Sequence, residues 1–349
     1  MKTIIVKVDE KCIDKNALLE AGNIIKAGGL VAFPTETVYG LGGDAFNPDS
    51  SKKIYSAKGR PSDNPLIVHI SDFNDIYKVA SDVPESAKKL ADRFWPGPLT
   101  MILKKVEELP KETTGGLDTV AIRMPVDPVA LEFIKSSGGF VAAPSANKSG
   151  RPSPTSAKYV VEDLDGLVEM IIEGEDSTIG LESTIVDLTS DKPMILRPGF
   201  ITKEDLEEVL GEVLIDQTII SQDSKAAPKA PGMKYRHYAP KGDVTIIRGE
   251  NERVVEYINE RILEAKSKGL KTGVIATSEN VDRYLADSIK NIGRKNDKET
   301  IAKNLFRILR EFDDESVMVI YTEEFGSNGL SLATMNRLLK AAGHKEVNV

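Results

Sequence analysis

The first part of the chain alternates short apolar runs with polar turns, whereas the part after residue 242 alternates apolar runs with longer amphipathic segments. Short apolar runs predict buried strands, and apolar residues spaced three and four apart predict helices. The predicted strands at 168–172, 183–188 and 194–197 lie too close together for helical crossovers. Part of the first sheet is therefore predicted to be antiparallel.

From Asp243 onward, predicted strands and helices alternate regularly, and one of the helices is predicted at 280–286. Such alternation indicates a mostly parallel, doubly wound, Rossmann-like sheet. Neither a dinucleotide-binding glycine motif nor a P-loop motif occurs in this part. The sequence thus predicts an α/β protein: a twisted mixed sheet with flanking helices at 1–212, a linker at 213–242, and a smaller α/β domain at 243–349.

The stretch from residue 31 to residue 70 holds most of the candidate chemistry. A predicted strand ends at Pro34 and is followed by a polar turn and by a glycine-rich loop at 40–43, where backbone can approach a ligand. A second predicted strand carries His69, and Lys58 and Arg60 precede it. Ligands bind beyond strand ends in α/β sheets. Two cations at such a place indicate an anionic ligand such as phosphate.

Arg123 lies in an apolar predicted strand that ends at Pro125. A buried arginine is costly unless an anionic partner balances it. One interpretation is a clamp that binds a carboxylate through two hydrogen bonds. The other is an edge-strand arginine that faces water, because arginine is seldom buried. The sequence leaves both interpretations open.

Further polar groups follow other predicted strands. The loop at 144–154 contains Ser145, Asn147 and Ser153, and its small residues allow a ligand to reach backbone N–H groups. An ordinary Ser/Pro/Asn loop is the alternative. Ser183 and Arg197 also lie at strand ends. A segment at 231–240, with two tyrosines, two cations and a histidine, is typical of a lid.

Composition narrows the classes of protein. A length of 349 residues favours two domains, and a net charge of −8 argues against a general nucleic-acid binder. The single cysteine, Cys12, excludes an internal disulfide and fits a reducing cytoplasm. The three histidines show no zinc-type spacing. No signal peptide is recognised, and no apolar run approaches the ~20 residues of a membrane span. We expect a cytoplasmic protein.

Several separated motifs together resemble the YrdC-like domain family. They are PTETVYGLG at 34–42, the Lys58 and Arg60 pair, NPLIVH at 64–69, AIRMP at 121–125 and SAN at 145–147. The segment PGMKYRHYAP at 231–240 and the second α/β domain are similar to the long, two-domain form, the L-threonylcarbamoyladenylate synthases. The resemblance extends over essentially the whole chain.

This resemblance implies a nucleotidyltransferase that converts L-threonine, bicarbonate and ATP into L-threonylcarbamoyladenylate and pyrophosphate. The product would serve N6-threonylcarbamoyladenosine formation at position 37 of ANN-decoding tRNAs, through a threonylcarbamoyl transferase. Mg²⁺ would be held by the ATP phosphates and not by protein side chains. Direct tRNA binding is expected to be weak or absent. The alternative is an RNA-binding factor of the same fold.

The resemblance also implies which residues form the site. Lys58 and Arg60 would act electrostatically, with no covalent nucleophile. The residues expected to bind L-threonine are Thr37, His69, Arg123, Ala143 and Ser183. The residues expected to bind ATP are Arg60, Asn64, Thr119, Ser145, Ser153, Arg197 and Tyr235. We further expect the segment at 231–240 to close over the nucleotide, with Tyr235 reaching it.

Overall fold

The computed structural model describes residues 2–219 and 237–349. The described residues divide into two compact units. The first consists of 2–149, 153–178 and 182–219, and the second of 150–152, 179–181 and 237–349. Each unit contains its own sheet and is considered by itself below.

The first unit is built on one mixed sheet of eleven strands, whose order is β1-β8-β2-β3-β7-β4-β6-β5-β9-β10-β11. The strands are β1 Ile4–Lys7, β2 Val31–Phe33, β3 Gly40–Asp44, β4 Ile67–His69, β5 Leu99–Lys104, β6 Thr119–Arg123, β7 Val141–Ala143, β8 Met170–Glu173, β9 Thr184–Asp187, β10 Met194–Arg197 and β11 Leu214–Ile215. The sheet contains both parallel pairs, such as β4 with β6, and antiparallel pairs, such as β9 with β10. The predicted mixed sheet is confirmed.

Seven helices accompany this sheet within residues 2–219. They are α1 Lys15–Lys26, α2 Pro48–Lys58, α3 Ile76–Val79, α4 Glu85–Phe94, α5 Pro128–Ser136, α6 Ala157–Leu164 and α7 Lys203–Leu210. Short 3-10 helices cover Phe73–Asp75 and Gln217–Ile219. The apolar sides of α2, α4, α6 and α7 pack in one large core cluster against one face of the sheet.

The opposite face of the sheet is covered unevenly. Helices α1 and α5 cover the part formed by β2, β7 and β8. The neighbouring apolar cluster consists of strand residues alone among those described, namely Ile67, Ile102, Ala121, Ile185 and Leu196. On the central strands, no described helix contributes to the apolar cluster of this face.

The glycine-rich segment at 40–43 is part of strand β3, so its prediction as a loop is wrong. Glycine is needed there because neighbouring strands approach closely. A Cβ atom on Gly40 would lie 2.9 Å from the Phe33 ring, and one on Gly42 would lie 2.7 Å from Val141. Glycine in a strand interior often marks such a close approach. The apolar alternation that usually predicts a strand is absent for the same reason.

The second unit contains an all-parallel five-stranded sheet with the order β14-β13-β15-β12-β16. Its strands are β12 Asp243–Arg248, β13 Thr272–Thr277, β14 Ser288–Gly293, β15 Val319–Glu323 and β16 Glu346–Asn348. Its helices are α8 Asn251–Ser267, α9 Lys298–Asp314 and α10 Leu330–Ala341. The predicted doubly wound parallel sheet is confirmed.

The helix predicted at 280–286 is wrong, because only a 3-10 helix at Val281–Arg283 forms. Tertiary contacts override the local pattern there. Tyr284 is buried and its hydroxyl donates to the Glu323 carboxylate at 3.0 Å. The backbone N–H of Leu285 donates to the side chain of Asn259. These bonds hold the chain extended after Arg283.

In the described parts of the chain, no helix is both long and apolar enough to cross a membrane.

Helices α1 and α5 pack so closely that the contact depends on Gly22. An added Cβ at this position would lie 2.4 Å from the backbone oxygen of Ser136. Although alanine has the higher helix propensity, we expect Gly22→Ala to destabilise the first unit by about 1–3 kcal/mol through overpacking. Urea unfolding, followed by the fluorescence of the single tryptophan, Trp95, measures this change.

Asn23→Ala is the matched control, because Asn23 is exposed on the same helix. We expect this variant to unfold at the wild-type urea concentration or slightly above it. Equal midpoints for Gly22→Ala and Asn23→Ala would contradict the close packing of α1 on α5.

Candidate functional site

A row of paired residues crosses six neighbouring strands of the first sheet. Cα partners run from β7 through β4, β6, β5 and β9 to β10. The row is Val141, His69, Arg123, Thr100, Ile185 and Arg197. Residues paired across strands have their side chains on the same face of a sheet. His69, Arg123 and Arg197, which lie far apart in sequence, therefore share one face.

Adjacent rows on this face hold further candidate residues. Ala143 lies two residues from Val141 on β7 and pairs with Ile67, which pairs with Ala121. Residues two apart on a strand point to the same side. Thr119 on β6 therefore faces the same way as Arg123, although it lies at the opposite end of the strand. This is also the face with an apolar cluster of strand residues alone.

Arg123 is the buried charge of this face, with 4% of its surface exposed. Strand β6 lies between β4 and β5, so the interpretation as an edge-strand arginine is wrong. The guanidinium Nη1 donates to the Thr37 hydroxyl at 2.8 Å, and Nε donates to the Gly97 carbonyl at 3.4 Å. Nη2 lies 2.6 Å from Oε1 of Glu36 in an ion pair whose two side chains are each 5% exposed.

The turn after β2 brings Glu36 and Thr37 to this guanidinium. Its shape depends on the Thr35 hydroxyl, which accepts from the backbone N–H groups of Thr37 at 3.2 Å and Val38 at 3.3 Å. A threonine side chain competes with regular structure in this way and favours turns. The Ser177 hydroxyl donates to the Thr35 carbonyl at 2.9 Å and anchors the turn from outside.

Ser183 joins Arg197 to this row of the sheet. Its hydroxyl lies 2.7 Å from the Thr100 hydroxyl and accepts from Nη2 of Arg197 at 3.1 Å. Nε of Arg197 also donates to the backbone oxygen of Ser183 at 3.0 Å. All three residues are buried. A second guanidinium is thus held on the same face as Arg123.

Lys58 is the last residue of α2, which begins at its N-cap Asn47 and ends where Gly59 adopts a φ of 60°. The Lys58 ammonium donates to the backbone carbonyls of Ser145 and Asn147. Ser145 follows β7, so the lysine contacts the loop that leaves this strand.

Arg60 lies just beyond α2. It donates to the Asn64 carbonyl at 3.3 Å and to the Pro65 carbonyl at 3.1 Å. Asn64 is buried, and its side-chain oxygen accepts no hydrogen bond from the described residues. The Ser153 hydroxyl donates to Oε1 of buried Glu182 at 2.6 Å. Tyr235, the remaining ATP candidate, lies outside the described residues.

Two buried titratable groups have strongly shifted pKa values. Burial, aided by the charge of Arg123, lowers the pKa of His69 to about 3. Its imidazole is therefore neutral near pH 7, and Nδ1 lies 3.1 Å from the Ile67 carbonyl. Burial raises the pKa of Asp127 to about 7. Asp127 is the N-cap of α5 and accepts from the backbone N–H of Ala130 at 2.8 Å.

Three residues that contact the candidate residues were not predicted from the sequence: Glu36, Thr100 and Glu182. A buried arginine requires an anionic partner, so a partner for Arg123 was predictable in kind. Its identity depends on the fold, because Glu36 precedes Arg123 by 87 positions. Within the described ranges, no group of three or more His, Cys, Asp or Glu side chains is placed to hold a metal ion.

Two family models match consecutive parts of the chain. The Sua5–YciO–YrdC model, described as "Telomere recombination", matches residues 23–199. The model described as "Threonylcarbamoyl-AMP synthase, C-terminal domain" matches residues 201–343. The mixed sheet with its charged face and the separate parallel sheet thus define a two-domain protein of the Sua5 class.

Relatives that extend over the full chain narrow this class. The chain is 48% identical to the threonylcarbamoyl-AMP synthase of Pyrococcus abyssi over 347 residues, covering 99% of this chain and 100% of the relative. It is 47% identical to that of Bacillus subtilis over 340 residues, covering 97% and 96%. The crystal structure of P. abyssi Sua5 complexed with L-threonine matches with a TM-score of 0.93 at 48% identity, covering 99% of this chain and 100% of that one. The chain belongs to the threonylcarbamoyl-AMP synthase family.

The shifted pKa values of His69 and Asp127 predict opposite effects of pH on stability. Unfolded His69 binds a proton near pH 6.5 and the folded residue only near pH 3, so it destabilises the fold as pH falls through this range. Folded Asp127 binds a proton near pH 7 and the unfolded residue near 3.8, so it stabilises the fold as pH falls. In the wild type the two contributions offset each other.

A variant that removes one of these two titratable side chains should reveal the contribution of the other to stability. Relative to wild type, we expect His69→Gln to gain stability as pH falls from 6.5 to 4, by about 1.4 kcal/mol per pH unit. Asp127→Asn, which keeps a capping oxygen, should lose stability relative to wild type between pH 7 and 4. Urea unfolding from pH 4 to 8 measures both differences. Differences that do not change with pH would show that neither side chain has the shifted pKa.

Proposed function

We propose that this protein is a nucleotidyltransferase that converts L-threonine, bicarbonate and ATP into L-threonylcarbamoyladenylate and pyrophosphate. The observation that supports this most strongly is one buried sheet face that holds Arg123, His69 and Ala143 together, with Ser183 and Arg197 at its side. Lys58 donates to the backbone carbonyl of Ser145 in the loop that follows β7. Cations and hydroxyls at one face suit a site for a carboxylate and phosphates.

In this proposal, Arg123 binds the threonine carboxylate and lies beside Thr37, which contacts it at 2.8 Å. The hydroxyls of Thr37 and Ser183 form hydrogen bonds with the amine or the side-chain hydroxyl of the substrate threonine. His69 contributes a neutral imidazole, because its pKa is lowered to about 3, so it binds and does not exchange protons near pH 7. Ala143, on the strand next to that of His69, is the remaining residue assigned to threonine.

The chemistry requires positioning and charge stabilisation. The threonine amine attacks bicarbonate and forms a carbamate with loss of water. A carbamate oxygen then attacks the α-phosphate of ATP while pyrophosphate leaves. No covalent enzyme intermediate is needed, so holding three reactants together supplies much of the rate. Lys58, Arg60 and Arg197 are the cations for the developing phosphate charge. The remaining ATP contacts are assigned to Asn64, Thr119, Ser145, Ser153 and Tyr235.

Mg²⁺ fits this site as an ion held by the ATP phosphates and water. It usually binds phosphate oxygens with few protein ligands, and the charged side chains assigned to ATP are cations. When bound, it neutralises phosphate charge. The protein's own part is to orient the phosphates with Lys58, Arg60 and Arg197.

The carbamate and the mixed anhydride react with water, so the site should close during turnover. The segment at 231–240 is our candidate for this lid on sequence grounds, with Tyr235 contacting the nucleotide. We expect Tyr235→Ala to raise the KM for ATP. Unchanged ATP affinity and product yield would contradict the proposed contact of Tyr235 with the nucleotide.

The labile product calls for a threonylcarbamoyl transferase that uses it to modify adenosine 37 of ANN-decoding tRNAs. Direct tRNA binding is proposed to be weak, because the chain has a net charge of −8. The single cysteine, Cys12, suits the reducing cytoplasm in which such a reaction would take place.

Pyrophosphate release from ATP tests the proposed reaction. Assays contain Mg²⁺, L-threonine and bicarbonate, and each substrate is omitted in turn. We expect release only when both are present. Release without threonine would indicate another acceptor. No release under any condition would favour the RNA-binding alternative or an obligatory partner, and salt-dependent tRNA affinity would then separate these two.

A pair of lysine variants tests whether Lys58 takes part in the reaction. We expect Lys58→Gln to lower kcat/KM for ATP by about 10²-fold, the size of effect found when one electrostatic donor is removed. Lys52→Gln is the matched control, because Lys52 lies on the same helix with its side chain 58% exposed. Equal activity of the two variants would contradict the assigned role of Lys58.

A further inference from the structure

Glu36 is a buried carboxylate with unused hydrogen-bonding capacity. Its side chain is 5% exposed, and its only ion pair among the described contacts joins Oε1 to Nη2 of Arg123. Neither carboxylate oxygen accepts a hydrogen bond of good geometry from the described residues. An ionised carboxylate has about four acceptor positions. Acceptor positions that are buried without a donor are costly, so the lack of donors at Glu36 requires an explanation.

The surrounding turn does not supply the missing donors. The Thr35 hydroxyl donates to the Val38 carbonyl at 2.6 Å and accepts from backbone N–H groups of the same turn. The Thr37 hydroxyl accepts from Nη1 of Arg123 and donates its proton to the Thr35 hydroxyl at 2.9 Å. Both neighbouring hydroxyls are therefore engaged elsewhere. The fold holds Glu36 at the sheet face without saturating it.

The arrangement of Glu36 and Arg123 matches a free α-amino acid. An α-amino acid carries its ammonium and its carboxylate on one carbon atom, so its two charges lie side by side. Glu36 and Arg123 also place opposite charges side by side, 2.6 Å apart. A carboxylate bound at the guanidinium would bring its own ammonium next to Glu36. An ammonium has three N–H donors and no acceptor. It can therefore supply the donors that the two carboxylate oxygens of Glu36 lack.

The other titratable side chains near this face are poorly suited to balance the charge of an ammonium. His69 is neutral and lies beside the charge of Arg123. The Asp127 carboxylate accepts from Ala130 as the cap of α5. Glu182 accepts from the Ser153 hydroxyl. Lys58, Arg60 and Arg197 are cations and would repel it.

We propose that Glu36 binds the α-ammonium group of the substrate amino acid, beside the α-carboxylate held by Arg123, and selects for ligands with a free α-amine. This inference rests on the proposed function and adds to it a residue that contacts the reacting nitrogen. It also explains why the turn carries a carboxylate between Thr35 and Thr37: the ion pair holds Arg123 in place until a ligand with the same two charges arrives.

Calorimetric binding of two ligands to the full-length protein tests this role. One ligand is L-threonine, and the other is the 2,3-dihydroxybutyrate of matching stereochemistry, in which a hydroxyl replaces the amine. We expect wild type to bind threonine at least tenfold more tightly. In Glu36→Gln, the Kd of threonine should rise at least tenfold while that of the hydroxy acid changes less than threefold. The preference for the amine is thereby lost.

A purely structural role for Glu36 predicts different calorimetric affinities. If Glu36 only neutralises Arg123, Glu36→Gln should change the affinities of both ligands by the same factor, and this outcome would overturn the inference. Retention of the wild-type preference would also overturn it. Glu169→Gln is the matched control, since this half-buried carboxylate lies elsewhere in the first unit and accepts from the Leu30 N–H at 2.7 Å.

ATP affinity and thermal unfolding, followed by Trp95 fluorescence, check that Glu36→Gln is folded. If it is not, Glu36→Asp keeps the charge and withdraws it by one methylene, and the same selective loss of threonine affinity is expected. Wild-type protein that binds no threonine would overturn the proposed function and this inference together. Threonine binding with an unaltered amine preference in both variants would overturn the inference alone.

Discussion

A buried guanidinium in a central strand is the constraint on which the first unit depends. Arg123 lies on β6 with sheet on both sides, and removing an arginine from water costs several kcal/mol unless charge and hydrogen bonds compensate. Glu36 and Thr37 provide this compensation from a turn that Thr35 shapes and Ser177 anchors. The glycines of β3, which follow this turn, allow its chain to pack closely against β2 and β7.

The same constraint defines the chemistry of the sheet face. Helices cover one side of the sheet and part of the other, and the apolar cluster on the remaining part is formed by strand residues. Charged residues next to such apolar walls interact more strongly than they would in water. His69 stays neutral in this environment. In the proposed function, this face holds the two charges of the amino acid and the phosphates of the nucleotide at separate positions.

Sequence reasoning predicted the architecture well where residue patterns reflect burial, as in the mixed first sheet and the parallel second sheet. It failed at Gly40–Asp44, where close strand packing replaces apolar alternation, and at 280–286, where the bond from Tyr284 to Glu323 overrides helical spacing. For Arg123 it left two interpretations open, and only the strand order separates them. Glu36 was not identified, because its partner is distant in sequence.

The central claim is that Arg123 provides the carboxylate site on this face, and one comparison of ligand affinities tests it most directly. L-threonine and L-threoninol differ in the carboxylate, and their binding to wild type and to Arg123→Gln is measured by calorimetry, with ATP affinity as the check on folding. The account predicts that wild type prefers threonine at least tenfold and that Arg123→Gln binds both ligands weakly and about equally. A variant that keeps the wild-type preference for threonine would contradict it.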